Sequence, residues 1–301
     1  VDLLIVLFGF GVGILVGTTG VGGGSLMTPL LILAFHTKPA IAIGTDLAYA
    51  AVTKTVGGWR HLRKGTVDMS ISLWLAVGSV PGAIGGVYVL RVLERALGRG
   101  SFDDLVLVLV AGALLLTGVA VLARALFLPG AVARERDTID PMERRHKAAA
   151  IAIGLSVGFV LGLTSAGSGS LIAVGLIVVF RLAPRRIVGT DVFHAAILLW
   201  VAATAHLLSG NVDLALAGNI LVGSIPGVWL GSSLALRLPE AGLRPTLGIV
   251  LLAAGLALLG KAGATFPIVL IFAVPLALAL VAVTLHVLRG RAARVGVEGA
   301  G

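Results

Sequence analysis

The chain contains no cysteine. Disulfides, thiolate metal sites and cysteine nucleophiles are therefore excluded from its chemistry. Charge is scarce as well: Asp, Glu, Lys and Arg make up 12% of 301 residues, against about 25% in an average soluble domain. Aromatic residues are 5%. No Gly-Lys-Ser/Thr follows a glycine-rich stretch, so there is no nucleotide loop of that type, and His-Glu-x-x-His is absent. The alternating apolar and polar pattern of a membrane β-barrel is missing too.

Long apolar runs fill the space that these absences leave. Apolar residues are 58% of the chain and the mean hydropathy is +1.08, so most of the chain must sit in lipid. At about 20 residues per crossing, the length admits roughly ten spans. Such spans must be helical, because hydrocarbon offers no partner to an open backbone group. The 42 glycines fit close helix packing and interrupted helices. The net charge of +9 sits mainly in short loops between apolar runs, which fits positive-inside topology better than nucleic-acid binding. Asp2 stands where a signal peptide would be basic, so the start of the chain reads as a first membrane segment.

Displaced by 145 residues, the chain matches itself without a gap from Gly9 to Gly86. Gly44-Thr45-Asp46 falls on Gly189-Thr190-Asp191, His61-Leu62 on His206-Leu207, and Gly65, Val67 and Asp68 on Gly210, Val212 and Asp213. Pro81-Gly82 falls on Pro226-Gly227. Each unit divides into five apolar segments, at about 2–18, 23–36, 39–60, 68–90 and 103–124, then about 148–163, 168–181, 184–207, 213–236 and 245–260. This predicts a membrane repeat over 1–124, a cytoplasmic linker over 125–147 and a second repeat over 148–260. Residues 261–301 are left for a final transmembrane helix and a basic cytoplasmic tail. Loop charge swaps sides between the copies. Arg60, Arg63 and Lys64 follow the third segment of the first unit, whereas Arg181, Arg185 and Arg186 follow the second segment of the second unit. An odd number of crossings per unit produces that swap, so the expected fold is an all-α polytopic bundle of two inverted repeats with broken or re-entrant Gly-rich segments.

The candidate site follows from the paired motifs. Gly22, Gly23, Gly24 and Ser25 pair with Gly167, Ser168, Gly169 and Ser170. A chain that breaks in mid-membrane presents backbone N–H groups at the start of the next half-helix, and these favour an anion. A tight turn between two packed helices would use the same residues. Ionisable residues inside a span are costly and usually face a cavity or a partner. Thr45, Asp46, Tyr49 and Lys54 lie on the third segment of one unit, and Thr190, Asp191 and His194 on that of the other. Helix capping and snorkelling are the plain alternatives for the Asp pair and for Lys54. Asp191 and His194, three apart, can touch on a helix and form a proton-relay candidate. Asp68 and Asp213 read as N-caps, and His61 and His206 as interfacial residues.

The duplicated Gly-rich turns, the Gly-Thr-Asp pair, Ala50-Ala51-Val52-Thr53-Lys54 and Gly65-Thr66-Val67-Asp68 together resemble the TauE/SafE family of membrane permeases, also called sulfite exporters. The resemblance runs from about Gly9 to Gly260; one departure is Val174, which stands opposite Pro29. It implies transport of sulfite, sulfonates or related sulfur anions without a cofactor. The expected protein is a secondary transporter, with proton coupling as one option and a passive anion channel as the alternative. No catalytic residue or metal ligand is assigned. The expected partners are a small anion and the lipid bilayer, not nucleic acid. The expected location is a bacterial inner membrane, multi-pass, with the C-terminus cytoplasmic.

Overall fold

The computed structural model describes residues 2–19, 24–127, 142–235 and 240–263. The predicted final span, the basic tail and most of the linker lie outside the described residues. The described chain is helical: α1 Leu3–Thr19, α2 Gly24–Ala34, α3 Pro39–Arg63, α4 Met69–Leu97, α5 Arg99–Phe127, α6 Arg144–Thr164, α7 Ser168–Gly175, α8 Pro184–Leu208, α9 Leu214–Ala235 and α10 Glu240–Lys261. A π-helical turn, Leu176–Phe180, continues α7. Among the described residues, five helices are long and apolar enough to cross a membrane: α4, α6 and α8, with 100–123 of α5 and 214–231 of α9. Large apolar side chains face outward on them, including Tyr88 at 66% and Trp229 at 76% exposure. In water that surface would be unfavourable; in lipid it is the expected exterior.

Local chemistry sets the helix starts. Pro39 and Pro184 open α3 and α8, where a missing N–H costs nothing. Asp68 and Asp213 cap α4 and α9 as expected, each Oδ1 accepting from the backbone three residues on, Ile71 N at 3.0 Å and Leu216 N at 2.9 Å. Both helices continue through Pro81 and Pro226. One expectation is corrected. The stretch around Arg91, Arg95 and Arg99, read as a loop, belongs to the ends of α4 and α5, with only Gly98 between them. The basic residues there lie on helix that extends beyond the apolar stretch.

The two units pack by exchange. Helix α1 packs on α9 and α4 on α6, so each pair joins one unit's first helix to the other unit's fourth. Helices α3 and α8 pack on each other, as do α5 and α10. Gly9 and Gly13 approach Ile220 and Ser224, while Gly227 and Gly231 approach Phe10 and Ile14, so α1 and α9 run parallel. Gly78, Gly82 and Gly86 interlock with Gly154, Gly158 and Gly162 in the same way. Equivalent helices instead run antiparallel. Gly44 meets Asn211, Gly57 meets Val192, and Trp200 Nε1–H donates to Thr55 Oγ1 at 2.9 Å. The equivalent pairs α3 with α8 and α5 with α10 thus meet antiparallel.

This packing sorts charge to the ends. Arg186 Nη1 donates to the Val67 carbonyl at 3.1 Å, which places the α8 start beside the α3–α4 loop. Lys147 lies over Trp74 at 5.0 Å, which brings the α6 start to the same end. Arg60, Arg63, Lys64, Arg144, Arg145, Arg185 and Arg186 gather there.

At the α4–α6 seam a Cβ on Gly158 would collide with the backbone of Ser79. Gly158→Val is expected to cost about 1–3 kcal/mol by overpacking, seen as a lower Tm in detergent. Gly112, which has open space beside it, should accept Val without such a loss.

Candidate functional site

Helices α2 and α7 are short. At 1.5 Å per residue, the 11 residues of α2 reach only about 16 Å. Each follows a Gly-rich junction and ends in a left-handed residue, His36 after α2 and Arg181 after the π turn. These are equivalent positions in the repeat. Thr37 N bonds Leu31 O at 3.1 Å, and Leu182 N bonds Leu176 O at 3.5 Å, closing both ends alike. Lys261 Nζ donates to the Ile32 carbonyl at 2.7 Å, placing a cation on the C-terminal carbonyls of α2. The N-terminus of α2 points the other way, toward the interior.

The two junctions meet. Gly167 N–H lies 3.5 Å from Ser25 Oγ, across 142 residues of sequence. Ser25 is buried. The turn between α6 and α7 is made by Ser165 at φ +61° and Gly167 at φ +93°, left-handed conformations that aim its N–H groups off the helix path. Gly22 and Gly23 lie outside the described residues, as do the side chains of Ser168 and Ser170. Gly24 begins α2.

Two carboxylates flank this junction. Asp46 is fully buried in α3. Its Oδ2 accepts from Thr28 Oγ1 at 2.6 Å and from Ser165 Oγ at 2.6 Å. Its Oδ1 has no hydrogen-bond partner. Asp191 is also buried, and a Cβ on Gly169 would stand 3.3 Å from its Oδ2. Neither Asp caps its own helix, since each sits well inside it. The turn from Ser165 to Gly169 thus reaches from one carboxylate to the other.

Thr45 and Thr190 each bond to the other unit. Thr45 Oγ1 accepts from Asp213 N at 3.0 Å, and Thr190 Oγ1 from Asp68 N at 2.9 Å. Each ties its helix to the start of a helix in the other contact pair. His194 Nε2 pairs with Ser79 Oγ at 2.8 Å, so the ring is held by α4 and not by the carboxylate one turn earlier. Tyr49 occupies the equivalent position and is fully buried, but its hydroxyl makes no hydrogen bond to Ser224, the equivalent of Ser79. Lys54 is partly exposed and stands eight residues beyond Asp46, about 12 Å along the axis. It is not drawn into the buried cluster. His206, expected at an interface, is instead fully buried, and its Nε2–H donates to Gly162 O at 3.0 Å. His61 is partly exposed and pairs with Thr66 at 2.9 Å.

The sequence reading missed Thr28 and Ser165. Each replaces a non-hydroxyl residue in the repeat: Thr28 stands opposite Ala173, and Ser165 opposite Gly20. The signal for both lies in the mismatches of the repeat and not in its identities.

A lipid-facing exterior, two half-length helices and a buried polar junction between them define a polytopic helical membrane protein of the transporter class. The chain belongs to the sulfite exporter TauE/SafE family, whose model matches residues 5–258. It is 38% identical over 255 residues to the probable membrane transporter protein YjnA of Bacillus subtilis, covering 85% of this chain and 98% of that one. It is 29% identical over 257 residues to the probable membrane transporter protein YdhB of the same organism, covering 85% and 100%. A probable membrane transporter protein of Xylella fastidiosa is 27% identical over 270 residues, covering 88% and 98%. No solved structure matches the chain.

The geometry around Asp46 has a measurable consequence. Thr28→Val and Ser165→Ala each remove one short donor from a buried carboxyl group, and each is expected to cost about 1–3 kcal/mol in detergent unfolding. Repeated in an Asp46→Leu background, the same changes should cost far less. Ser156→Ala, on an exposed helix face, should stay within about 0.5 kcal/mol of the parent.

Proposed function

We propose that the protein is a secondary transporter for a small anion, with sulfur oxyanions and short sulfonates as its substrate class. The observation that carries this reading is the junction itself. The Gly167 N–H donates to the buried Ser25 Oγ, which brings the starts of two half-helices together. Helix starts of this kind, with their dipoles, suit a negative group and need no cofactor. Gly22, Gly23, Gly24, Gly167, Ser168, Gly169 and Ser170 would supply the cradle. Thr45, Tyr49, Thr190 and His194 would hold the surrounding helices. The sulfur assignment is supported by the family and by nothing in the side chains.

Topology belongs to the same reading. The helix directions support inverted repeats, with the basic end cytoplasmic and the C-terminal tail on that side of a bacterial inner membrane. Lys54 lies on α3 between the junction and this basic end, where it would attract the anion on its path.

Uptake into proteoliposomes tests the substrate class with sulfite, thiosulfate, sulfate, taurine, sulfoacetate and acetate. Saturable uptake of sulfur anions, with acetate excluded, is expected; ohmic current without saturation would make the protein a channel. Lys54→Ala should raise KM roughly tenfold, the effect of about 1.4 kcal/mol, and Lys54→Arg should recover part of it. An unchanged KM in Lys54→Ala removes Lys54 from the path.

The absence of cysteine gives single-Cys probes a clean background. Lys64→Cys should label from the cytoplasmic side and Ser209→Cys from the opposite side. Labelling of both from one side would end the inverted arrangement.

A further inference from the structure

We infer that Asp46 is the proton carrier of the transport cycle, and that a proton on its Oδ1 travels in the same direction as the anion. This rests on the anion-transport reading and adds the coupling ion, its site and the sign of the coupling.

Asp46 has no exposed surface. Both of its hydrogen-bond donors, Thr28 and Ser165, point at the same oxygen, Oδ2. Oδ1 is buried with no partner. No ion pair to Asp46 occurs among the described residues, where the recorded salt bridge joins Arg145 and Glu143 at the surface. A buried carboxylate with neither a counter-charge nor full hydrogen bonding is costly. A proton on Oδ1 removes the charge and leaves both bonds to Oδ2 in place. A metal cation takes several ligands, and among the described residues no group of three or more His, Asp or Glu side chains gathers here. The arrangement therefore suits a proton better than a metal ion.

Asp46 is distinguished from Asp191 by its two hydroxyl donors: the positions equivalent to Thr28 and Ser165 are Ala173 and Gly20, which carry no hydroxyl. The expected relay between Asp191 and His194 is set aside, because His194 is held by Ser79.

The sign follows from position. Ser165 bonds Asp46, and Gly167, two residues on, meets Ser25 at the proposed anion site. A charged Asp46 repels an anion there, whereas a neutral one does not. Protonation therefore favours the anion, and by linkage the anion favours protonation to the same extent. Species that bind together cross together, which is co-transport; exchange would require each to displace the other. The ionisable groups on the elements packed around α3 are these. On α3 itself they are Tyr49, Lys54, Arg60, His61 and Arg63; on α8 they are Arg185, Arg186, Asp191, His194 and His206; on α5 they are Arg99, Asp103, Asp104 and Arg124. Helix α2 carries none, and α9 carries none beyond its cap, Asp213.

The full chain in proteoliposomes, given [35S]thiosulfate and [35S]sulfate, tests the inference, because neither probe changes charge near neutral pH. With external pH below internal pH, uptake should rise about fivefold or more. An internal pH dye should report acidification as thiosulfate enters. In Asp46→Asn, whatever uptake remains should be insensitive to the gradient, and thiosulfate should move no protons. Thr28→Val and Ser165→Ala keep the carboxyl group and should shift the pH at which stimulation is half-maximal. Internal alkalinisation in the parent protein overturns co-transport, and wild-type stimulation in Asp46→Asn overturns the residue. If Asp46→Asn does not fold, unshifted pH profiles in both hydroxyl variants overturn its role. Uptake of neither probe under any gradient, together with no uptake across the wider anion panel, would instead defeat the anion reading on which the inference rests.

Discussion

Backbone-to-backbone contact between helices of different repeats holds this molecule together. On α4 and α6, and again on α1 and α9, glycines face the neighbouring main chain where any Cβ would collide. In lipid there is no hydrophobic gain from bringing helices together, so close van der Waals contact must do that work. Each glycine seam takes one helix from each unit. Neither repeat can form its own seam, because the first and fourth helices of one unit find their partners in the other. The duplication is thus built into the fold, and the two units cannot behave as independent bodies.

The central polar region depends on that exchange. Ser165 ends α6, which the α4 seam positions, and it reaches Asp46 on α3 of the other unit. Thr45 and Thr190 reach the starts of α9 and α4, each a helix of the opposite repeat. These buried donors and acceptors are satisfied only between units, as buried backbone groups in a membrane protein must be. A glycine seam therefore fixes the helix separation, and the hydroxyl bridges use it.

Much of this could be read from the sequence because repeats and apolar runs are one-dimensional features. The shift that lays Gly44-Thr45-Asp46 on Gly189-Thr190-Asp191 shows the duplication, and the Asp68 and Asp213 caps follow from local spacing. The Gly78, Gly82 and Gly86 stripe already reads as a packing face, although its partner helix does not. What could not be read was long-range. The bond from Ser165 to Asp46 spans 119 residues. His206 seemed interfacial from its place near a helix end, yet the antiparallel crossing of α3 and α8 turns that end inward beside Gly162. Lys54 drew attention as a charge within a span, but helix rise keeps it about 12 Å from the buried Asp.

A perfectly symmetric repeat would carry two equal carboxyl sites, one in each half, and no reason for a proton to prefer either. The chain departs from symmetry at the positions that touch Asp46. Thr28 replaces alanine and Ser165 replaces glycine, while the framework glycines and threonines around them are kept. Symmetry supplies two half-helix starts facing a common junction, which suits a ligand lying between the repeats. Asymmetry then gives Asp46 two hydroxyl donors from positions that carry no hydroxyl in the other half. Both hydroxyls settle on a single oxygen and leave the second bare. The shared framework and the unshared hydroxyls thus divide the labour, the first holding two units in register and the second making one of two matched aspartates chemically distinct.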